Sequence, residues 1–303
     1  MIIVKKMLFV INPYAGMRKA DKVLSEILAV FNRADYDVRV YVTACQADAV
    51  QAVEKLAPGM DLVVCSGGDG TFNETITGLM NGGLDIPVGY IPSGSTNDFA
   101  ASLGLSGDCV EAARAIVEGA PNAYDIGRFG SRYFSYVASF GAFTKASYST
   151  PQNIKNLVGH VAYLLEGMQE LSQIRKHHVK LTLDGETVLE DDYLFGAICN
   201  STSVGGIMTL DPNQVDLADG KFEVLLVRAP RTLQEIPECL LAVQKQQYNS
   251  TMMTFRSASS IKVETDPEMP WTLDGEREIG HREVEVRNLH KAIRIIKKES
   301  KDV

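Results

Sequence analysis

Cysteine is sparse in this chain and shows no organised spacing. Cys45, Cys65, Cys109, Cys199 and Cys239 are odd in number, far apart, and never form a CxxC pair. That pattern excludes a disulfide framework and a thiolate zinc site, and reads as the reduced thiols of a cytoplasmic protein. Excess positive charge is equally absent. Thirty Lys and Arg stand against thirty-eight Asp and Glu, a formal charge of −8. With no basic stripe to follow a phosphate backbone, nucleic acid is excluded as a partner. No apolar stretch approaches the roughly 20 residues of a membrane-spanning helix. Lys5-Lys6 before Met7–Ile11 imitates a secretory leader. The apolar run ends at Asn12-Pro13, however, short of the roughly 7–15 residues a leader core needs. Any encounter with a membrane is therefore peripheral and transient. Two nucleotide fingerprints are missing as well. The chain has no GxxxxGKS or GxxxxGKT loop and no G-x-G-x-x-G after its first strand.

What is present suffices for two domains. The chain has 303 residues, 45% hydrophobic and 22% charged, enough to bury a core without metal or disulfide staples. The first 125 residues alternate short apolar runs with helical patterns. Strands are expected at Met7–Ile11, Val38–Thr43, Asp61–Cys65 and Ile86–Ile91, with Val38, Val40 and Val42 on one face. Helices are expected near Met17–Phe31, Gln46–Leu56, Thr71–Met80 and Asp108–Glu118. This predicts an α/β domain, a mainly parallel sheet with helices on both faces. The loops Asn12–Gly16, Ser66–Gly70 and Pro92–Gly94 each follow a strand. Open α/β sheets bind ligands at the carboxyl ends of their strands, so these loops should converge.

From about Asp125 the pattern changes. After Thr150-Pro151, apolar residues from Ile154 to Leu171 recur at spacings of three and four, predicting one long amphipathic helix. Strands are then expected at His178–Leu183, Thr187–Leu189, Tyr193–Cys199, Phe222–Arg228, Thr254–Glu264, His281–Arg287 and Ala292–Lys297. Thr232–Gln247 reads as a helix that Pro237 shortens or kinks. The second domain, 126–289, should be β-rich and largely antiparallel.

The most informative segment runs from Cys65 to Glu74. Gly67, Gly68 and Gly70 surround the carboxylate Asp69, after an apolar strand and before a helix. Missing Cβ atoms let backbone N–H groups approach a phosphate, and a helix N-terminus favours negative charge. Asp69 would be repelled by a phosphate but suits Mg²⁺, which is held by one or two carboxylates, water and substrate phosphates. Thr71 adds a hydroxyl. A tight turn with a helix cap is the bland alternative. The second loop, Pro92 to Ala100, carries Ser93, Gly94, Ser95, Thr96, Asn97 and Asp98, of which Asn97 or Asp98 could simply cap a short helix.

Taken together, Asn12–Gly16, Gly67–Glu74 and Pro92–Ala100 resemble the diacylglycerol kinase catalytic-domain family in order and spacing. That family includes bacterial soluble lipid kinases and is related to the sphingosine and ceramide kinases. Gly205-Gly206, Asp216–Lys221 and Leu273–Glu276 look like its later motifs, so the resemblance covers nearly the whole chain. It implies a nucleotide domain completed by the C-terminal strand at 290–303, a β-rich lipid-substrate domain, and a cleft between them. It also implies an ATP- and Mg²⁺-dependent kinase acting on the hydroxyl of diacylglycerol or a similar lipid at a membrane surface; a homodimer is compatible with it. ATP would lie against Asn12, Pro13, Tyr14, Ala15, Gly16, Thr43, Gly67, Gly68, Asp69, Gly70, Thr71, Phe72, Asn73 and Ser95. Asp69 would organise a magnesium–water network, and Asp219 would bind a structural magnesium with backbone oxygens of Asp216 and Lys221. Glu276 would be the general base. The sequence departs from the family at Ala15, where serine is common, at Ser95, where threonine is usual, and at Asp211-Pro212-Asn213, where a small or aromatic residue more often precedes the proline.

Other readings remain at this stage. NAD kinases and sugar kinases share a Gly-Gly-Asp-Gly element, and a non-catalytic nucleotide- or lipid-binding protein is a further alternative. Asp219-Gly220 and Asp274-Gly275 are also ordinary hairpin dipeptides. Glu276 could be a solvated member of Glu276–Glu278, and Arg175–His178 a basic helix end favoured by the dipole. Trp271 reads as core or cleft wall.

Overall fold

The computed structural model describes residues 4–17, 19–141, 175–204, 208–210 and 215–298. The chain divides into two compact units: Met1–Ile126 with Lys291–Val303, and Gly127–His290. The expected helix at 154–171 lies outside the described residues, as do Gly205-Gly206.

Unit 1 is built on β1 (Lys5–Ile11), β2 (Tyr36–Val42), β3 (Leu62–Gly67) and β4 (Val88–Pro92), in the order β4-β3-β1-β2 and parallel throughout. Helices α1 (Lys19–Lys22), α2 (Leu24–Arg33), α3 (Asp48–Leu56), α4 (Asp69–Asn81), α5 (Asp98–Ser102) and α6 (Cys109–Glu118) complete it. Strands covered on both faces must be apolar on both, which is why β3 and β4 are buried from end to end. Met7, Phe9, Leu62 and Val64 pack with Ile27 and Phe31 of α2 and Ala112 and Ile116 of α6. α4 runs beside α3, where a Cβ on Gly78 would stand 2.8 Å from the Val50 carbonyl oxygen, so only glycine permits this approach. Two expectations are modified. The helix at Met17–Phe31 is interrupted at Val23, whose φ of −121° and ψ of 15° separate α1 from α2. β2 is the edge strand. Of its three valines only Val38 packs against the core, while Val40 and Val42 are 39% and 53% exposed.

Two strands carry the chain between the units: β5 (Ala120–Phe129) and β17 (Glu283–Lys297). β17 bends at Lys291, where φ is +51°, and the Lys291 N–H donates to the fully buried Asp125 at 2.7 Å. Beyond the bend, Ile295 pairs in parallel with Val88 of β4.

Unit 2 is antiparallel. Its elements are β6 (Arg132–Phe134), β7 (Val137–Gly141), β8 (His177–Leu183), β9 (Thr187–Cys199), β10 (Ser203–Val204), β11 (Met208–Thr209) and β12 (Phe222–Arg228), then α7 (Glu235–Gln244), β13 (Met253–Ala258), β14 (Ser260–Thr265), β15 (Trp271–Leu273) and β16 (Glu276–Glu278). The order is β16-β15-β7-β9-β8-β14-β17, with β12 pairing β9 and β13. Phe129, Phe140 and Trp271 meet at the core, with ring centroids 4.9–5.0 Å apart. Trp271 is fully buried and is therefore core rather than cleft wall. The two runs at Thr187–Leu189 and Tyr193–Cys199 form one strand. Thr254–Glu264 instead breaks at Ser259, because Asp184 in the β8–β9 turn accepts the N–H groups of Ser259 and Ser260 at 3.0 and 2.8 Å. Pro237 falls in the first turn of α7, where its missing N–H costs no bond, so it shortens the helix without kinking it. His177 and His178 open β8 rather than close a helix, and Lys176 pairs with Asp192.

Candidate active site

The three loops of unit 1 meet at the carboxyl end of its sheet. β1 and β3 are neighbours, so the Asn12 N–H reaches the Ser66 carbonyl at 2.8 Å and its side chain donates to Thr71 Oγ1 at 3.0 Å. β3 and β4 are neighbours too, and the N–H groups of Ser93 and Gly94 both donate to Gly67 O, at 2.8 and 3.2 Å. Glycine is required at these joints by contact. A Cβ on Gly16 would lie 1.9 Å from Ser93 O, and one on Gly94 would lie 2.5 Å from the Gly68 Cα.

Asp69 stitches the glycine loop to the third loop. Its Oδ2 accepts from the Asp98 N–H at 3.0 Å and its Oδ1 from the Phe99 N–H at 3.3 Å, which satisfies the start of α5. Asn97, at φ +55°, clamps Gly94 by accepting its N–H and donating to its carbonyl, both at 3.0 Å. Glu74 has a separate task. Its carboxylate accepts the N–H groups of Ala47 and Ala49 at 2.8 and 3.2 Å and so caps α3. Beneath the loop, Phe72 packs at a tilt against Tyr90 and Phe99, with centroids 4.6 and 5.4 Å apart. Phe72 is fully buried, so only its backbone can face a ligand.

The resulting surface suits phosphate. α4 begins at Gly68, a glycine with no side chain of its own to cap the helix, so the positive end of the dipole faces this surface. Thr43 is buried behind β1 with its hydroxyl on Ile11 O at 3.3 Å, while Ser95 is exposed and Tyr14 is 70% exposed. Burial pushes the Cys65 thiol up to about 12, which removes it as a nucleophile. Tyr90 is pushed well above its ordinary value, first by burial and then by Asp69.

In unit 2, Asp274 and Gly275 form the β15–β16 turn with φ of +48° and +85°. The turn reading holds for the backbone, yet the Asp274 side chain is buried. It accepts three successive backbone N–H groups, Ser135 at 2.5 Å and Tyr136 and Val137 at 3.0 Å each. Glu276 follows, half-buried, with Arg132 forked between it at 3.4 Å and Glu278 at 2.6 Å. It is a held carboxylate, not a loose one.

Residues 6–129 match the diacylglycerol kinase catalytic domain, and residues 137–297 match the YegS C-terminal NAD kinase beta sandwich-like domain. The diacylglycerol kinase of Bacillus subtilis (strain 168) is 32% identical over 274 residues, 90% of each chain. The chain belongs to the diacylglycerol kinase family. It is a phosphotransferase of lipid-kinase type. A diacylglycerol kinase from Bacillus anthracis str. Sterne superposes with a TM-score of 0.76 at 24% identity, covering 98% of each chain. The yeast NADH kinase complexed with NADH does so with a TM-score of 0.51 at 12% identity, covering 98% of this chain and 84% of that one. These two likenesses concern fold alone. No helix among the described residues is long and apolar enough to cross a membrane.

Diacylglycerol kinases are kinases, which use nucleotide and commonly a divalent metal. Among the described residues no three His, Cys, Asp or Glu side chains converge to hold a metal outright. The turn before β12 carries two exposed carboxylates. Asp216 and Asp219 accept the N–H groups of Ala218 and Lys221 at 3.0 and 2.9 Å, and the Lys221 carbonyl faces the amide of Asn288 at 3.0 Å. In β12, burial and then the charges of Asp219 and Asp216 push Glu223 up to about 8. Neither the sequence motifs nor the resemblance singled out Glu223. The signal was there in principle, an acid at an inward-alternating position of an apolar strand.

Proposed function

We propose that this kinase transfers the γ-phosphate of ATP to the hydroxyl of diacylglycerol or a lipid like it. The observation that carries this reading is the glycine-lined N-terminus of α4, tied through Asp69 and Asn97 to the Ser93–Asp98 loop. ATP phosphates would lie on the backbone N–H groups of Gly68–Thr71, with Asn12–Gly16, Thr43, Asn73 and Ser95 around the nucleotide. Phosphoryl transfer needs positioning and charge stabilisation more than covalent help, and a rigid cradle of amides supplies both. Magnesium would neutralise charge on the transferring phosphate. Asp69 would hold it near the nucleotide, and Asp219 with backbone oxygens of Asp216 and Lys221 would hold a structural ion. Glu276 takes the proton of the lipid hydroxyl as the bond from its oxygen to the γ-phosphorus forms. The bond to the bridging oxygen breaks and ADP departs. The protein meets its lipid at a membrane surface from the cytoplasm.

The test is transfer of radiolabelled phosphate from ATP to an extracted lipid mixture, with NAD and sugars as parallel acceptors. Labelled phosphatidic acid supports the reading. Label in NAD or sugar alone, or in no acceptor, refutes it.

A further inference from the structure

Arg132 has no task in the reaction above, yet its guanidinium touches Glu276. The two residues stand 144 positions apart, and the core of unit 2 brings them together. Gly130 and Ser131 form a tight turn, which sets Arg132 opposite Phe129 in the β5–β6 hairpin. The Phe129 ring packs on Trp271 with centroids 4.9 Å apart, and Trp271 is in register with Glu278 across the β15–β16 hairpin. Arg132 is thereby delivered to β16, the edge strand of its sheet. That strand presents Glu276 and Glu278 on one face, two positions apart, where like charges repel. Arg132 answers both carboxylates, and unequally. Its Nη1 donates to Glu278 Oε2 at 2.6 Å and its Nη2 to Glu276 Oε2 at 3.4 Å. Glu278 is buried, and its other oxygen accepts the Ile279 N–H at 2.8 Å, so it is the fixed end of the fork. Glu276 is the lightly held end and stays partly exposed.

We infer that Arg132 is a positioning residue for Glu276: pinned on Glu278, it holds the Glu276 carboxylate in the orientation from which that group takes the proton of the lipid hydroxyl. This deepens the proposed function and rests on Glu276 as the general base. A guanidinium is planar and rigid, so anchoring one side of its fork fixes where the other side points. Without it, repulsion from Glu278 would swing the Glu276 side chain toward water. A base must lie within about 2.6–3.2 Å of the proton it abstracts, and a misplacement of about 1 Å can cost about 100-fold in rate. The same stretch of chain also fixes the hairpin's turn, since the N–H groups of 135–137 close on Asp274. Residues 132–137 therefore hold both the base and the strand that carries it.

The experiment measures kcat and the KM for ATP of the purified full chain, with a diacylglycerol in detergent micelles as acceptor. Arg132→Ala should lower kcat by about 10–100-fold while the KM for ATP stays within about two-fold. In a Glu276→Gln background the same substitution should change kcat by less than about two-fold, because the carboxylate it orients is already gone. Guanidinium at a concentration far below denaturing should restore part of the rate to Arg132→Ala, and sodium chloride at equal ionic strength should not. Wild-type kcat in Arg132→Ala, with kcat lowered in Glu276→Gln, overturns the role of Arg132 and leaves Glu276 standing as the base. An equal loss from Arg132→Ala in both backgrounds reduces the residue to a structural tie and refutes the proposal. Near-normal turnover in Glu276→Gln removes the base and this proposal together. If Arg132→Ala does not fold, Arg132→Lys, which keeps the charge but cannot fork, must still show the lowered kcat. An unchanged kcat there refutes the proposal.

Discussion

Substituting Asp274 by Asn tests how unit 2 holds the hairpin that carries Glu276. Asp274 lies at φ +48°, a left-handed turn position that Asn occupies as readily as Asp, so the exchange alters chemistry and leaves the backbone unstrained. The carboxylate serves three donors: Oδ1 accepts from Tyr136 and Val137 at 3.0 Å, and Oδ2 from Ser135 at 2.5 Å. An amide has one acceptor. With its oxygen on the pair at Tyr136 and Val137, its NH₂ group faces the Ser135 N–H, donor against donor. A hydrogen bond to a charged group is worth about 1.5–3 kcal/mol, and a buried donor left unpaired costs about 1–3 kcal/mol. After local relaxation the exchange should destabilise unit 2 by about 2–4 kcal/mol. For a unit of this size that lowers the melting temperature by roughly 4–16 °C. Urea denaturation of the purified variant measures it, and an unchanged m-value would show that only stability moved. Asp274→Ala removes the acceptor for all three N–H groups and should cost more. A loss below about 0.5 kcal/mol for Asn, or equal losses for Asn and Ala, refutes the account of Asp274 as the acceptor that locks residues 135–137.

Asp69→Asn keeps one acceptor for α5 and should fold, yet phosphate transfer should fall at least about 100-fold, because the charge proposed to hold metal is gone; near-normal turnover would remove this loop from the chemistry. For Glu276→Gln we expect kcat lower by about 10²–10⁴, the usual worth of general-base help, with ATP affinity nearly intact. A collapse of ATP affinity instead would assign Glu276 to the nucleotide site. Gly94→Ala puts a Cβ 2.5 Å from the Gly68 Cα and 2.7 Å from Asn97 Oδ1, so the loops must part. Overpacking of that kind costs about 1–3 kcal/mol, and KM for ATP should rise clearly more than KM for lipid. Equal changes in both would count against a nucleotide role for this joint.

Most of unit 1 was legible from residue order alone. Parallel strands buried on both faces must be apolar at successive positions, so Met7–Ile11 and Leu62–Cys65 announce themselves without knowledge of their neighbours. Glycines flanking Asp69 after such a strand likewise mark a close backbone approach, a local property. In unit 2 the run Phe222–Arg228 was equally plain, because its flanking turn residues bound an apolar segment of strand length.

Tertiary structure alone decided the rest, and the reason is that the missing information lies in partners far away in sequence. Asp69 stitches two loops because β3 and β4 are adjacent. Asp274 reads as a turn residue until the N–H groups of 135–137, nearly 140 positions earlier, are placed against it. Thr254–Glu264 looks like one strand, since the carboxylate of Asp184 that breaks it arrives from another hairpin. Val40 and Val42 alternate as buried residues do, but burial depends on what covers a strand, and β2 has a neighbour on one side only. Glu223 is the plainest case. Its residue type says solvent and its strand position says interior; only the fold, by covering both faces of β12, shows that the interior wins.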